Sequence, residues 1–290
     1  MTPYDKARGL PIWRGAVDPQ PLGGGITNLN FLVEDGDRRA VVRIGDDIPV
    51  HKILRSNELA ASRAAHAAGV SPAVLYHEPG ALVIEFVEGR TLAAADVRSA
   101  GMLERILPLL ARAHRELPRH LRGPALMFWV FHVIRDYAGR LAEDGSRHRA
   151  LLPGLLAEAE RLEAAVGPVE VVFGHNDLLP ANLIDDGARL WLIDWDYAGF
   201  NSPLFDLGGL AANNGLSEAQ EEAMLALYFD RAPEAALWRR YRAMKGAAAL
   251  RETLWSMVSE IHSALEFDFA GYTETNLAAY RAALAEFAQA

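Results

Sequence analysis

Residues 171–195 read VVFGHNDLLPANLIDDGARLWLIDW. Two apolar runs, VVF and LWLIDW, have the β-branched and aromatic content of buried strands. Between and within them stand His175, Asn176, Asp177, Asn182 and Asp194. Charged and amide groups are costly to bury without partners, so a strand–loop–strand carrying them reads as a site. Asp177 and Asn182 are five apart, and Asp194 follows twelve residues later, near the end of the second run. Phosphoryl transfer from ATP asks for such a set. One carboxylate orients the attacking hydroxyl and takes its proton, while an amide oxygen and a second carboxylate hold the Mg²⁺ ions that bridge the phosphates.

Upstream of this stretch, ITNLNFLVED, RAVVRIG, AVLYHE and ALVIEFVEG read as four strands, and SNELAASRAAHAAG as a helix closed by Gly69. After EGRTL the pattern becomes helical. Apolar residues recur at three- and four-residue spacing over 101–117, 126–143, 150–166, 217–230, 234–262 and 273–289. Pro108 predicts a kink or restart in the first of these. The fold class is α+β, with a small β-rich N-lobe over 1–88 and a larger, mostly helical C-lobe over 89–290.

Composition narrows the function. The chain has 290 residues, is 51% hydrophobic and carries a net charge of −9. That supports a substantial core and argues against nucleic acid, which needs clustered Lys and Arg. An acidic chain suits a small cationic partner better. The absence of cysteine suits a reducing compartment. MTPYDKARGL has no apolar signal core, and no apolar run reaches the roughly 18 residues of a membrane span. The expected location is the cytoplasm.

HNDLLPANLI followed by LIDWDYAGF resembles the catalytic signature of the choline/ethanolamine kinase and aminoglycoside phosphotransferase superfamily, relatives of protein kinases. The resemblance runs from about residue 20 to 285 and implies a protein-kinase-like two-lobed fold with ATP as co-substrate. It implies Asp177 as catalytic base with His175 supporting the loop, and Asn182 and Asp194 as Mg²⁺ ligands. It also implies an ATP site in the N-lobe. LGGGITNLNFLV, with Gly24, Gly25 and Asn28, has the place of the phosphate-covering loop. Arg43 stands where many relatives have Lys, with Glu58 as its ion-pair partner; Arg55 and His51 are further candidates for the phosphates. The backbone from Glu85 to Val87 takes the place that holds adenine. Asp206 in FDLGGLA resembles an aspartate that braces the catalytic loop.

The acceptor is read from LRETLWSMVSEIHSALEFDFAGYTETNLAAY near the C-terminus. In eukaryotic choline kinases a box of aromatics encloses the trimethylammonium group, and Tyr197, Trp255, Phe267 and Tyr272 resemble positions of that box. Aromatic faces attract such a cation by roughly 0.5–2 kcal/mol each. This chain departs from the eukaryotic pattern at Glu252, where a second Trp stands, and at Asn213, where a Glu stands. The implied reaction is phosphorylation of a small amino alcohol, choline first and ethanolamine second. Other small-molecule kinases of the superfamily, acting on aminoglycosides, thiamine or sugars, remain alternatives, as does a non-catalytic nucleotide-binding module.

Overall fold

The computed structural model describes residues 2–23 and 28–289. A short helix α1 (Pro3–Arg8) precedes strands β1 (Gln20–Leu22), β2 (Leu29–Asp35) and β3 (Arg38–Ile44). Helix α2 (Arg55–Ala67) and strands β4 (Val74–Glu78) and β5 (Ala81–Glu85) complete the N-lobe. The antiparallel sheet has the order β1-β2-β3-β5-β4. It has five strands where the sequence suggested four, because the three-residue β1 is too short to show a period.

The period of two along β3 positions the site. Ala40, Val42 and Ile44 are buried against α1 and the outer face of the sheet, which turns Arg43 to the opposite face, toward the cleft. The apolar core divides elsewhere than the chain does. The sheet packs with α1 around Phe31, Val33 and Val42. Ala61, Ala64 and Ala65 of α2 instead join the large cluster of the following lobe.

The C-lobe opens with β6 (Arg90–Thr91), α3 (Ala94–Val97), α4 (Met102–His120), α5 (Val130–Glu143) and α6 (Leu152–Val166). It continues with β7 (Val172–Gly174), β8 (Leu183–Asp185), β9 (Leu190–Leu192) and β10 (Gly199–Asn201). It ends with α7 (Pro203–Asn214), α8 (Glu218–Phe229), α9 (Ala235–His262) and α10 (Phe269–Ala288).

Several expectations are corrected. VVF supplies β7, which pairs with β10, and LWL supplies β9, which pairs with β8. The second run is a strand only over Leu190–Leu192, because Asp194 adopts φ 69° and turns the chain. Helix α4 runs through Pro108 without a restart. The helix expected from 126 begins at Val130, since Leu126 and Phe128 pair in extended form with Phe200. The last helix starts at Phe269, four residues before the expected 273. Helix α7 was not foreseen. Its signals were present in the N-cap Ser202, Pro203 in the first turn and left-handed Gly215 at the end. It packs tightly on the buried helix α9, where a Cβ added to Gly208 would lie 2.9 Å from Lys245 Cα.

Candidate active site

The loop after β7 is held rigidly from below. Asn176 adopts φ 65°, a left-handed conformation that Asn tolerates better than most residues. Its amide donates to the carbonyls of Tyr197 (2.9 Å) and Gly199 (3.1 Å). Asp206, buried at the start of α7, accepts the N–H groups of His175 (2.8 Å) and Asn176 (2.7 Å). It also accepts from His114 Nε2 at 2.9 Å. The bracing role expected of Asp206 therefore has a direct geometric basis. His175 is fully buried. Its Nε2–H donates to the Ile193 carbonyl (2.9 Å) and its Nδ1 accepts the Asp177 N–H (3.3 Å). Burial lowers its pKa. Nε2 thus joins the loop to the segment that carries Asp194, while Nδ1 is spent within the loop.

Asp177 does face the cleft, with its side chain 19% exposed. Burial pushes its carboxyl up to about 8, against the pull of Arg251 and helped by Glu252, Asp194 and Asp196. Asn182 donates its amide N–H to the Asp177 carbonyl at 2.9 Å, which leaves its Oδ1 as the donor atom for a cation. Asn182 and Asp194 line the same cavity as Asp177. Their oxygens suit a hard cation such as Mg²⁺, which takes few ligands from protein and draws the rest from phosphates and water.

Arg43 Nη1 lies 2.5 Å from Glu58 Oε1, so the expected pair is formed. The same nitrogen lies 3.0 Å from both Asp194 and Asp196. Arg55 contacts Glu58 (2.7 Å) and Asp196 (2.8 Å), and donates to Asn28 Oδ1 (2.6 Å). Asn28 in turn donates to Asp196 Oδ2 at 3.1 Å. Asp196 was not singled out from the sequence, although it stands in the same DWD motif. Gly24 and Gly25 lie outside the described residues. Glu85 ends β5 with an exposed side chain, and Val87 is half-buried in the connector between the lobes. The N–H groups of Glu85 and Phe86 are spent on Ala73 and Arg39.

His51 stands elsewhere than the phosphates. It is buried beneath Trp255, with ring centroids 4.9 Å apart and 30° between the planes. Its nitrogens meet Ser259 Oγ (3.1 Å) and Tyr137 OH (3.4 Å). Burial lowers its pKa to about 3.

One cavity of about 80 Å³ is lined at once by Asp177, Asn182 and Asp194 and by Tyr197, Arg251, Glu252, Trp255 and Tyr272. Trp255 donates to the Tyr197 hydroxyl at 2.7 Å. Tyr272 stands edge-on to Trp255, with centroids 6.3 Å apart, and its hydroxyl donates to Glu252 Oε1 at 2.8 Å. Phe267 packs on Tyr272 at 5.7 Å but is 45% exposed and does not line the cavity. Phe269, which the sequence reading passed over, lies 6.2 Å from Trp255. Asn213 is exposed, and its amide donates to the Leu178 carbonyl at 3.4 Å, beside the cavity rather than in it. Arg251 was missed. The sequence signal was an Arg at the end of the apolar run GAAAL, four residues before Trp255 and so on its face. Its guanidinium lies 4.3 Å from the Tyr197 ring centroid and donates to Glu252 Oε2 at 2.8 Å.

The model of the family described as "Phosphotransferase enzyme family" matches residues 18–244. Protein LicA of Haemophilus influenzae is 28% identical over 212 residues, which cover 71% of this chain and 61% of LicA. A probable ethanolamine kinase of Arabidopsis thaliana is 26% identical, covering 87% of this chain and 75% of that one. The crystal structure of a choline/ethanolamine kinase family protein from Mesorhizobium loti superposes with a TM-score of 0.78. It is 26% identical, with 99% of each chain covered.

Proposed function

Since the chain belongs to the phosphotransferase enzyme family, we propose that it transfers the γ-phosphate of ATP, with Mg²⁺, to the hydroxyl of a small amino alcohol. The observation that carries this reading is the single cavity shared by Asp177, Asn182 and Asp194 with Glu252, Trp255 and Tyr272. Groups suited to phosphoryl transfer and groups suited to an ammonium lie within reach of one small molecule.

In this mechanism Asp177 accepts the proton of the acceptor hydroxyl and orients it in line with the γ-phosphate. Asn182 and Asp194 would hold Mg²⁺, which when bound would supply positive charge against the phosphates and against the upward shift of the Asp177 carboxyl. Arg43 and Arg55 turn toward the phosphates from the N-lobe. His175 positions the loop. The backbone near Val87 takes adenine.

The acceptor we infer is ethanolamine ahead of choline, although the aromatic residues alone favoured choline. A primary ammonium donates hydrogen bonds, and Glu252 offers it a carboxylate beside Trp255 and Tyr272. A trimethylammonium needs aromatic faces, and the Tyr197 face is covered by Arg251. The test is ADP release from Mg-ATP with ethanolamine, methylated ethanolamines, choline, thiamine and kanamycin. The expected result is highest kcat/KM with ethanolamine and loss of at least about 10²-fold in Asp177→Asn. Near-normal turnover by Asp177→Asn would remove the base. Turnover with thiamine or kanamycin alone would replace the acceptor.

A further inference from the structure

Arg251 is 3% exposed, yet among the described residues its Nε and Nη2 have no hydrogen-bond partner. A guanidinium is a planar fork of five donors that cannot be deprotonated. Leaving two of its nitrogens unpaired in a buried place is costly. Only Nη1 is engaged, with Glu252 Oε2 at 2.8 Å and Asp177 Oδ1 at 3.9 Å. Arg251 therefore stands between the carboxylate that would take the ammonium and the carboxylate that would take the hydroxyl. The ring of Tyr197 fixes its plane from one side. The catalytic loop from His175 to Asn182 contains no Lys or Arg, and among the described residues lining the cavity Arg251 is the only Lys or Arg.

We propose that Arg251 binds an oxyanion carried by the acceptor, using the N–H edge that no protein group occupies. This rests on the reading of the cavity as an acceptor site. The ligand chemistry is a carboxylate or phosphoryl oxyanion in bidentate contact, and it has two sources. One is the phosphoryl group as it reaches the acceptor hydroxyl and remains on the product. The other is a carboxylate on the amine-bearing carbon, as in a hydroxy amino acid.

The experiment compares the full-length protein with Arg251→Met and Arg251→Lys. Calorimetry measures binding of phosphoethanolamine and of L-serine and L-homoserine, and ADP release measures kcat and KM for ethanolamine and both amino acids. If the phosphoryl group is the ligand, phosphoethanolamine binding weakens at least tenfold in both variants. In that case kcat for ethanolamine falls by about 10²-fold or more with its KM little changed. If a carboxylate is the ligand, wild type turns over a hydroxy amino acid. Its kcat/KM relative to ethanolamine then drops at least tenfold in both variants. A merely structural arginine would lower the melting temperature without moving these ratios. Unchanged binding of all three compounds in either folded variant would overturn the proposal. Should wild type phosphorylate no member of the panel, the acceptor reading fails. The binding comparison still decides for or against Arg251.

Discussion

Asp206→Asn tests whether the catalytic loop is held by one buried carboxylate. The Asp206 side chain is 1% exposed and accepts three donors, at 2.7, 2.8 and 2.9 Å. Asparagine keeps the volume but retains only one acceptor oxygen, and its amide nitrogen must face an N–H. A hydrogen bond to a charged group contributes about 1.5–3 kcal/mol, and a stranded buried donor costs about 1–3 kcal/mol. The loss is therefore about 3–5 kcal/mol, since neighbouring terms do not add fully. For a chain of this size that lowers Tm by roughly 6–15 °C. Burial works to raise the Asp206 carboxyl, but the His114 hydrogen bond and charge and the His175 N–H prevail and hold it below its usual value. A depressed carboxyl contributes its stability above the unfolded pKa of about 3.9 and loses it only as the pH falls through the lowered folded value. The whole effect is thus present in calorimetry at pH 7.5. Because the lost bonds fix the backbone next to Asp177, kcat falls as well, by about 10²-fold for a displacement of about 1 Å. A variant that melts within about 2 °C of wild type and keeps its kcat would refute the account of the loop.

Glu252→Gln removes the carboxylate offered to the ammonium and is expected to lower kcat/KM for ethanolamine by about 10- to 150-fold; an effect under about threefold would place the ammonium elsewhere. Its effect on choline, which donates no hydrogen bond, is expected to be smaller. His51 is held neutral by burial, with a pKa of about 3, so the unfolded chain binds one more proton between about pH 3 and 6.5. Stability from this group is complete above about 6.5 and declines as the pH falls toward 3. On going from pH 7.5 to 5.5 the wild type is expected to lose about 1.4 kcal/mol more than His51→Gln. Parallel denaturation curves at the two pH values would contradict this.

The sequence by itself determined the groups whose relation is local. Asp177 and Asn182 share one short loop, and the amide of one meets the carbonyl of the other. Alternation along β3 sends Arg43 into the cleft, and helical spacing sets Glu252 a turn before Trp255. Periodicity and turn chemistry act over a few residues, and these placements need nothing more. Helix α7 too carries its signals locally, in Ser202, Pro203 and Gly215. Tertiary structure decided the rest. The partners of VVF and LWL, β10 and β8, were not legible, since strand pairing depends on the whole lobe. His51 looked like a phosphate ligand beside Arg55, yet it lies under Trp255 and meets Ser259, 208 residues away. Arg251 drew no reading from the sequence, and packing alone sets it over Tyr197 and beside Asp177. Burial and partnership at long range are properties of the packed chain, and they give those two side chains their meaning.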